Sequence, residues 1–335
     1  MREQRIGLSV PLDGVTLDEM PAVAQEAERL GYADAWSYEV DGTDAFSALA
    51  PIALGSNLRL ATAIVNVFTR GPATIAQSAA GIAELAPGRF ELGIGSGSHP
   101  IVESWNGGTF AKPATRVRDM VVFLRQALAG ERVSFVGETF SVDGFRLSRP
   151  PAAPIPIHVG ALRPGMLRVA GEHADGVIIN WLSAHDVKQS VQVVRQAAQS
   201  AGRDPSSVEI TARLMVSIDP PGEEGDTFIR RTICGYLTVP VYRRFHQWLG
   251  RTSLEGMWDA WAGGDRRGAT AAISDQTLHD LVLRGTWSEM RAQAQQYLEA
   301  GADTITFLMF TGAPDPTTRR ARSLEAMRQL APAAF

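Results

Sequence analysis

The amino-acid sequence predicts a (β/α)8 TIM barrel that forms a single domain over residues 1–335. Short apolar or β-branched runs alternate with helical patterns along the chain, and this alternation is typical of a parallel sheet. Eight such runs in 335 residues suit a closed barrel with insertions better than an open, doubly wound sheet. No stretch of linker-like composition divides the chain, so we expect one decorated barrel.

The predicted strands follow one another with a helix between nearly every pair. They cover residues 5–10, a run ending near Glu39, 58–67, 88–98, 155–160, 175–180, 208–219 and 303–310. The first helix is expected to open at Thr16, with Glu19 completing a capping box. A second capping box, Thr286 with Glu289, predicts the start of the final helix.

Two segments interrupt the repeat. Residues 131–145 predict a β-hairpin that turns around Gly137 after the fourth strand. Residues 220–285 predict a helical insert after the seventh strand. The arginines of this insert are expected either to form a solvated face or to meet an anionic ligand. Its aromatic residues are candidates for a lid that excludes water; they are Tyr236, Tyr242, Phe245 and Trp248.

Composition limits the classes of function. Hydrophobic residues make up 45% and charged residues 20% of the chain, and the formal net charge is −4, as in a soluble protein without a general nucleic-acid or membrane surface. The N-terminal segment has no apolar core of a signal peptide. A single cysteine, Cys234, is expected to be a small buried hydrophobe and fits a reducing cytoplasm. The six histidines show no metal-ligand spacing, so we expect no metal.

The segment 88–98, GRFELGIGSGS, places three glycines at the end of a predicted strand. Dinucleotide-binding loops have the spacing G-x-G-x-x-G and open a helix, whereas here the spacing is G-x-G-x-G and no helix follows directly. In a barrel, the carboxyl ends of the strands form the active-site face. Ser96, Gly97 and Ser98 are therefore expected beside a ligand, unless the glycines only relieve crowding.

Four stretches of the sequence resemble the luciferase-like superfamily, and within it the branch that uses the deazaflavin coenzyme F420. They are residues 36–50, 60–98, 102–121 and 155–180. The resemblance implies a barrel that holds a flat tricyclic ring at the mouth of its strands. It also implies a non-proline cis peptide bond at Ala63-Ile64 under one face of the ring, with Asn66 at the ring edge. Three further residues would lie near the ring and its side chain; they are Ser96, Gly97 and Ser98.

The same resemblance implies a phosphate site after the fifth strand. Successive backbone amides there would face the phosphate where the next helix begins, and the helix dipole would add to the attraction. These residues are Ala161, Leu162 and Arg163. Many members of the superfamily have glycine at the position of Arg163.

Candidate catalytic groups follow the strands at the same end of the barrel. Some deazaflavin dehydrogenases of the superfamily have a histidine just after the second strand, where this chain has Glu39, and a sugar-phosphate dehydrogenase is therefore disfavoured. Glu39 is expected to act as a base or as a structural acceptor, and His99 to act as an acid or as a loop histidine bonded to the backbone. Asp41 and Trp181 are candidates for the substrate pocket, although Trp181 would also serve simply as a packing residue.

The resemblance implies an oxidoreductase that transfers a hydride between F420 and a small organic substrate. Two alternatives remain, namely a two-component monooxygenase that uses flavin mononucleotide (FMN) and dioxygen, and a non-catalytic flavin-binding relative. Members of the superfamily commonly form dimers, so a homodimer is expected. The sequence does not predict the substrate, because its pocket would be built by loops and by residues 220–285.

Overall fold

Eight parallel strands close into a barrel in the computed structural model, which describes residues 3–335. In chain order the strands are β1 (Arg5–Val10), β2 (Asp34–Ser37), β3 (Arg59–Thr62), β4 (Val65–Asn66), β5 (Phe90–Gly95), β6 (Val133–Val136), β7 (Ser141–Phe145), β8 (Ile157–Gly160), β9 (Gly176–Asn180), β10 (Glu209–Ser217) and β11 (Thr304–Phe310). The sheet runs β3-β2-β1-β11-β10-β9-β8-β5, and β3 pairs again with β5, which closes the barrel. Strand β4 continues β3 after a short interruption, so the eight predicted strands are confirmed.

Thirteen α-helices complete the described chain. They are α1 (Met20–Arg29), α2 (Ala45–Gly55), α3 (Pro72–Leu85), α4 (Pro113–Leu128), α5 (Pro164–His173), α6 (Ala184–Ser200), α7 (Glu223–Leu237), α8 (Pro240–Trp248), α9 (Glu255–Ala262), α10 (Arg266–Ala271), α11 (Asp275–Leu281), α12 (Trp287–Glu299) and α13 (Pro316–Gln329). A π-helical turn, Pro100–Trp105, follows β5, and short 3-10 turns occupy 205–207, 252–254 and 332–334. No helix within residues 3–335 is long and apolar enough to cross a membrane.

One predicted helix start and the identity of the final helix are corrected. The hydroxyl of Thr16 donates to the Glu19 carboxylate instead of accepting from a helix amide, and a turn separates Thr16 from α1, which begins at Met20. The capping box of Thr286 and Glu289 is confirmed at the start of α12. It does not mark the final helix, however, because α13 follows β11 and is capped by Asp315.

The alternating faces of the strands separate an outer core from the barrel interior. On β10, the apolar residues Ile210, Ala212, Leu214 and Val216 join the large core cluster under the surrounding helices. The intervening residue Arg213 faces the interior, where it lies beside Ser9 of β1. Burial of each large apolar side chain contributes roughly 1.5–3 kcal/mol, so the outer core holds the barrel together.

An ionic network closes the interior at the amino ends of the strands. Arg5 donates to Asp34 at 3.0 Å and to Glu209 at 2.7 Å, and His158 Nε2 lies 3.2 Å from Glu91 Oε2. Burial alone would raise the pKa of Glu91, but His158 and the neighbouring arginines lower that pKa to about 2. Burial raises the pKa of Asp34 to about 6.

Part of this network has the composition of a metal site. Ligand atoms of Glu91, His158 and Glu209 all lie within 4.8 Å of one another. Arg5 already supplies the positive charge to Glu209. The network therefore acts as a structural plug at the end of the barrel opposite to the expected active site.

Both predicted inserts are present. The hairpin is formed by the antiparallel strands β6 and β7 and follows α4. The helical insert, defined here as helices α7 to α11, has its own apolar cluster, which includes Trp181 and Met215 of the barrel. The insert therefore packs on the carboxyl ends of β9 and β10. Cys234 is buried within the same cluster, as expected.

Candidate active site

The glycines of the β5 segment make room for the neighbouring barrel strand. A Cβ atom on Gly93 would lie 1.8 Å from the carbonyl oxygen of Thr62, and one on Gly95 would lie 3.0 Å from Ile64 Cδ1. A Cβ atom on Gly97 would likewise lie too close to the side chain of Asn66. These distances support the alternative that the glycines relieve crowding. The groups that lie close to their backbone belong to the neighbouring segment of β3 and β4.

A non-proline cis peptide bond joins Ala63 and Ile64, between β3 and β4. The resemblance implied this bond, and the structure has it at the expected position. The Ile64 side chain fills the space left by two glycines, since a Cβ on Gly160 would lie 2.9 Å from Ile64 Cγ2. The bond thus forms a bulge inside the mouth of the barrel, at the carboxyl end of β3.

Asn66 brings an unpaired hydrogen-bond donor to this bulge. Its side-chain oxygen accepts from the amide of Phe68 at 2.8 Å, which fixes the orientation of the carboxamide. Its Nδ2 is buried and donates to no acceptor in the described chain. Gly97, at φ +62°, lets the backbone pass close by, because a Cβ there would lie 2.2 Å from Nδ2. A buried donor without a partner costs about 1–3 kcal/mol, which a ligand acceptor would restore.

The start of α5 offers fewer free amides than predicted. The expectation that the amide of Ala161 faces a phosphate is wrong, because this amide donates to the Ile178 carbonyl at 2.9 Å as part of the sheet. Within residues 3–335, the amides of Leu162, Arg163 and Gly165 donate to no acceptor. These three N–H groups at the first turn of a ten-residue helix still suit an anion.

Glu39 is held in a salt bridge. Its carboxylate accepts from Nε and Nη2 of Arg70 and from the amide of Ala45. Arg70 also lies 3.2 Å from Asp44, which caps α2. This geometry favours the interpretation of Glu39 as a structural acceptor that anchors the loop after β2, while its assignment as a base stays a prediction.

The other side chains predicted from the sequence differ in their exposure and partners. The side chain of His99 is 64% exposed and pairs with Glu103 at 3.1 Å, as a loop histidine does. Asp41 is exposed. Ser98 and Ser96 are half-buried in the loop after β5. Their proposed contacts with a ligand stay predictions.

Trp181 belongs to the interface between barrel and insert. The residue is 1% exposed, and the centroid of its ring lies 4.8 Å from that of Tyr236. Its φ of +52° is in the left-handed region, which a bulky residue rarely adopts, so packing holds it there. Tyr236 in turn contacts Tyr242, whereas Phe245 packs with the outer core. Of the aromatic residues predicted to form a lid, the two tyrosines thus lie nearest the mouth.

Arg213 crosses the interior of the barrel and was not among the site residues predicted from the sequence. Its Nε lies 3.3 Å from Ser9 Oγ, and its Nη1 donates at 3.2 Å to the carbonyl of Ala63, which is the carbonyl of the cis peptide unit itself. Its guanidinium stacks over the ring of Tyr38 at 4.4 Å. A signal was available, because an arginine in the middle of the apolar run VEITARLMVSID is unusual for a buried strand.

Two cavities open elsewhere on the surface. One of about 360 Å³ lies between the start of α6 and helices α11 and α12, and one of about 510 Å³ lies along α7. Neither is lined by Asn66, Arg213 or the cis peptide bond. The barrel mouth carries the chemically distinctive groups, and helices of the insert cover it.

A family comparison covers most of the chain. Residues 4–304 match the model of a family described as luciferase-like monooxygenase. The chain belongs to this family. The superfamily resemblance stated from the sequence is therefore confirmed, and the barrel predicted with it is the fold observed.

Three relatives illustrate the branch of the family. The chain is 32% identical over 303 residues to a 5,10-methylenetetrahydromethanopterin reductase of Methanolobus tindarius, covering 88% of this chain and 91% of that protein. It is 30% identical over 226 residues to an F420-dependent hydroxymycolic acid dehydrogenase of Mycobacterium tuberculosis, covering 64% of this chain and 62% of that protein. The solved structure of the coenzyme F420 dependent tetrahydromethanopterin reductase of Methanopyrus kandleri superposes with a TM-score of 0.79, at 20% identity and 98% coverage of both chains.

Proposed function

We propose that this protein is an oxidoreductase that transfers a hydride between bound coenzyme F420 and a small organic substrate. Relatives that depend on F420 support the cofactor. One structural observation carries the proposal, namely the buried, unpartnered Nδ2 of Asn66 beside the cis peptide bond of Ala63 and Ile64. A flat ring with acceptor atoms at its edge fits that donor and that bulge.

The residues present fit such a cofactor at two further points. The free amides of Leu162, Arg163 and Gly165 at the start of α5 suit its phosphate. The half-buried Ser96 and Ser98 lie on the loop after β5, close to the bulge, because β4 and β5 are paired. When bound, the cofactor would donate or accept the hydride, and the protein would supply position and a site shielded from water.

In this proposal the side chains described above position the cofactor and the loop after β2. Asn66 donates to the ring edge, and the bulge limits the ring to one face. Glu39 and Arg70 fix the loop after β2 through their salt bridge. The insert helices cover the mouth and exclude water, which protects hydride transfer.

Anaerobic titration tests this proposal. The protein is titrated separately with F420 and with FMN, and quenching of tryptophan fluorescence reports binding. We expect micromolar or tighter binding of F420 and weaker binding of FMN. The variant Asn66→Asp keeps the oxygen that accepts from Phe68 and replaces the unpaired donor with an acceptor, so it should bind F420 at least tenfold more weakly. Asn57→Asp, an exposed position at the opposite end of the barrel, is the matched control.

The outcomes separate the alternatives. A preference for FMN would point to oxygen-dependent monooxygenase chemistry. Tight binding of F420 without hydride exchange across a substrate panel would identify a binding protein. Equal affinity of the Asn66→Asp variant and the unaltered protein would remove Asn66 from the cofactor site.

A further inference from the structure

We propose that Arg213 is the binding group for an anionic substrate, a carboxylate carried on a flat apolar body. The inference rests on the proposed function for the role of that ligand as a substrate. The anion site itself depends only on the geometry around Arg213. The two residues named from the sequence as candidates for the substrate pocket, Asp41 and Trp181, supply no positive charge.

The guanidinium has unused hydrogen-bonding capacity in a buried place. Arg213 is 8% exposed, and two of its nitrogens are engaged, by Ser9 and by the carbonyl of Ala63. Its Nη2 is buried and has no acceptor among residues 3–335. Since an arginine stays protonated in proteins, Nη2 offers donors and a full positive charge to a ligand.

The charge of Arg213 is uncompensated, unlike that of the half-buried arginines Arg5 and Arg251. Arg5 pairs with Asp34 and Glu209, and Arg251 pairs with Asp186 and Asp280. Within the described chain, Arg213 forms no ion pair with a carboxylate. A buried charge without a counter-ion destabilises the folded protein by several kcal/mol. Its presence at the mouth of the barrel is explained by a ligand that brings the negative charge.

The surroundings define the rest of the ligand. Tyr38 lies under the guanidinium, and Tyr236 and Tyr242 of the insert approach it closely enough to interact with its charge. Tyr242 is also placed beside Asn180, which is in register with Arg213 on the adjacent strand β9. Aromatic faces around a single cationic group suit a flat apolar body with one carboxylate. Arg213 also touches the bulge, so such a ligand would lie next to the proposed cofactor ring.

Calorimetric titration with benzoate and its neutral analogue benzamide tests the proposal. The unaltered protein should bind benzoate at least tenfold more tightly than benzamide. Arg213→Met should abolish this preference, and Arg213→Lys, which keeps the charge without the planar fork, should keep part of it. Arg244→Met, an exposed arginine on α8, is the matched control and should behave like the unaltered protein.

Thermal unfolding without ligand supplies a second readout. Because Arg213→Met removes an uncompensated buried charge, its unfolding temperature should equal or exceed that of the unaltered protein. Equal binding of benzoate and benzamide by the unaltered protein would overturn the proposal. So would an undiminished benzoate preference in Arg213→Met. If that variant does not fold, the result for Arg213→Lys decides, because a benzoate preference in Arg213→Lys equal to that of the unaltered protein would overturn the proposal.

A parallel titration with F420 separates this inference from the proposed function. If benzoate binds through Arg213 but F420 does not bind, the anion site stands and the proposed function fails. If Arg213→Met loses F420 binding and the unaltered protein shows no benzoate preference, the anion belongs to the cofactor and the substrate assignment is overturned.

Discussion

The guanidinium of Arg213 donates to the carbonyl of Ala63 at 3.2 Å, across the interior of the barrel. This contact joins β10 to the cis peptide bond between β3 and β4, which lie on opposite sides of the barrel. The group proposed to bind substrate is therefore hydrogen-bonded to the bulge proposed to support the cofactor. A change in either one is expected to affect the other.

Gly97→Ala should weaken cofactor binding. The new methyl group would meet Asn66 Nδ2 at 2.2 Å and displace the donor proposed for the ring edge. We expect at least a tenfold rise in the Kd for F420, measured by fluorescence titration. Gly107→Ala is the control, because its φ of +63° imposes the same backbone strain of about 1–2 kcal/mol with no atom within 4 Å of the new methyl group. Equal effects of the two variants on affinity would contradict the role of Asn66.

Gly93→Ala should destabilise the barrel itself. Its Cβ would lie 1.8 Å from the backbone oxygen of Thr62, which has no freedom to move within the sheet. We expect a loss of about 3 kcal/mol or more in the free energy of unfolding, measured by urea denaturation. Gly81→Ala in the middle of α3 meets no atom within 4 Å and should stabilise by about 0.5–1 kcal/mol. A Gly93→Ala variant as stable as the unaltered protein would show that the two strands separate easily.

Glu39→Gln should leave hydride transfer largely intact. If Glu39 anchors the loop through Arg70, its removal and Arg70→Met should each reduce kcat less than tenfold, and the double variant should add little further. A general base would instead contribute about 10²–10⁴-fold and one limb of the pH profile. Steady-state kinetics from pH 5 to 9 distinguish the two, and a lost limb in Glu39→Gln alone would identify it as the base.

The ion pair of Glu91 and His158 should make stability depend on pH. Burial alone would lower the pKa of His158, but the hydrogen bond to Glu91 raises it above its ordinary value. The contribution of His158 is therefore fully present below the unfolded-state pKa of about 6.5 and is lost as pH rises through the higher folded-state pKa. The contribution of Glu91 is present above its unfolded-state pKa and is lost as pH falls through about 2.

Urea denaturation of Glu91→Gln checks this dependence. Removing one partner of a buried pair costs about 3–5 kcal/mol, and that cost should be largest near pH 6. It should shrink as the pH rises through the folded-state pKa of His158, so the cost is measured again at pH 9. A cost that does not change between these pH values would show that Glu91 acts through Arg5 and Arg59 rather than through His158.

Barrel topology was predictable because it depends on local patterns that repeat along the chain. Apolar runs predicted each strand, and the capping box of Thr286 and Glu289 marked α12 correctly. The helix start predicted at Thr16 was wrong because the same short motif also forms an isolated turn, in which the Thr16 hydroxyl donates instead of accepting. The cis peptide bond at Ala63-Ile64 came from family resemblance alone, since no local pattern in this stretch indicates it.

The sequence by itself determined the order of strands and helices, the two inserts and the family. Only the tertiary structure decided which polar atoms are free to bind a ligand. The amide of Ala161 donates to the carbonyl of Ile178 on the next strand, and the Glu39 carboxylate accepts from Arg70. Arg213 has no carboxylate counter-ion in the described chain. The physical reason is that hydrogen bonds and charge pairs are saturated by groups distant in sequence. What remains unpaired, and hence the candidate site, is fixed only when the barrel closes.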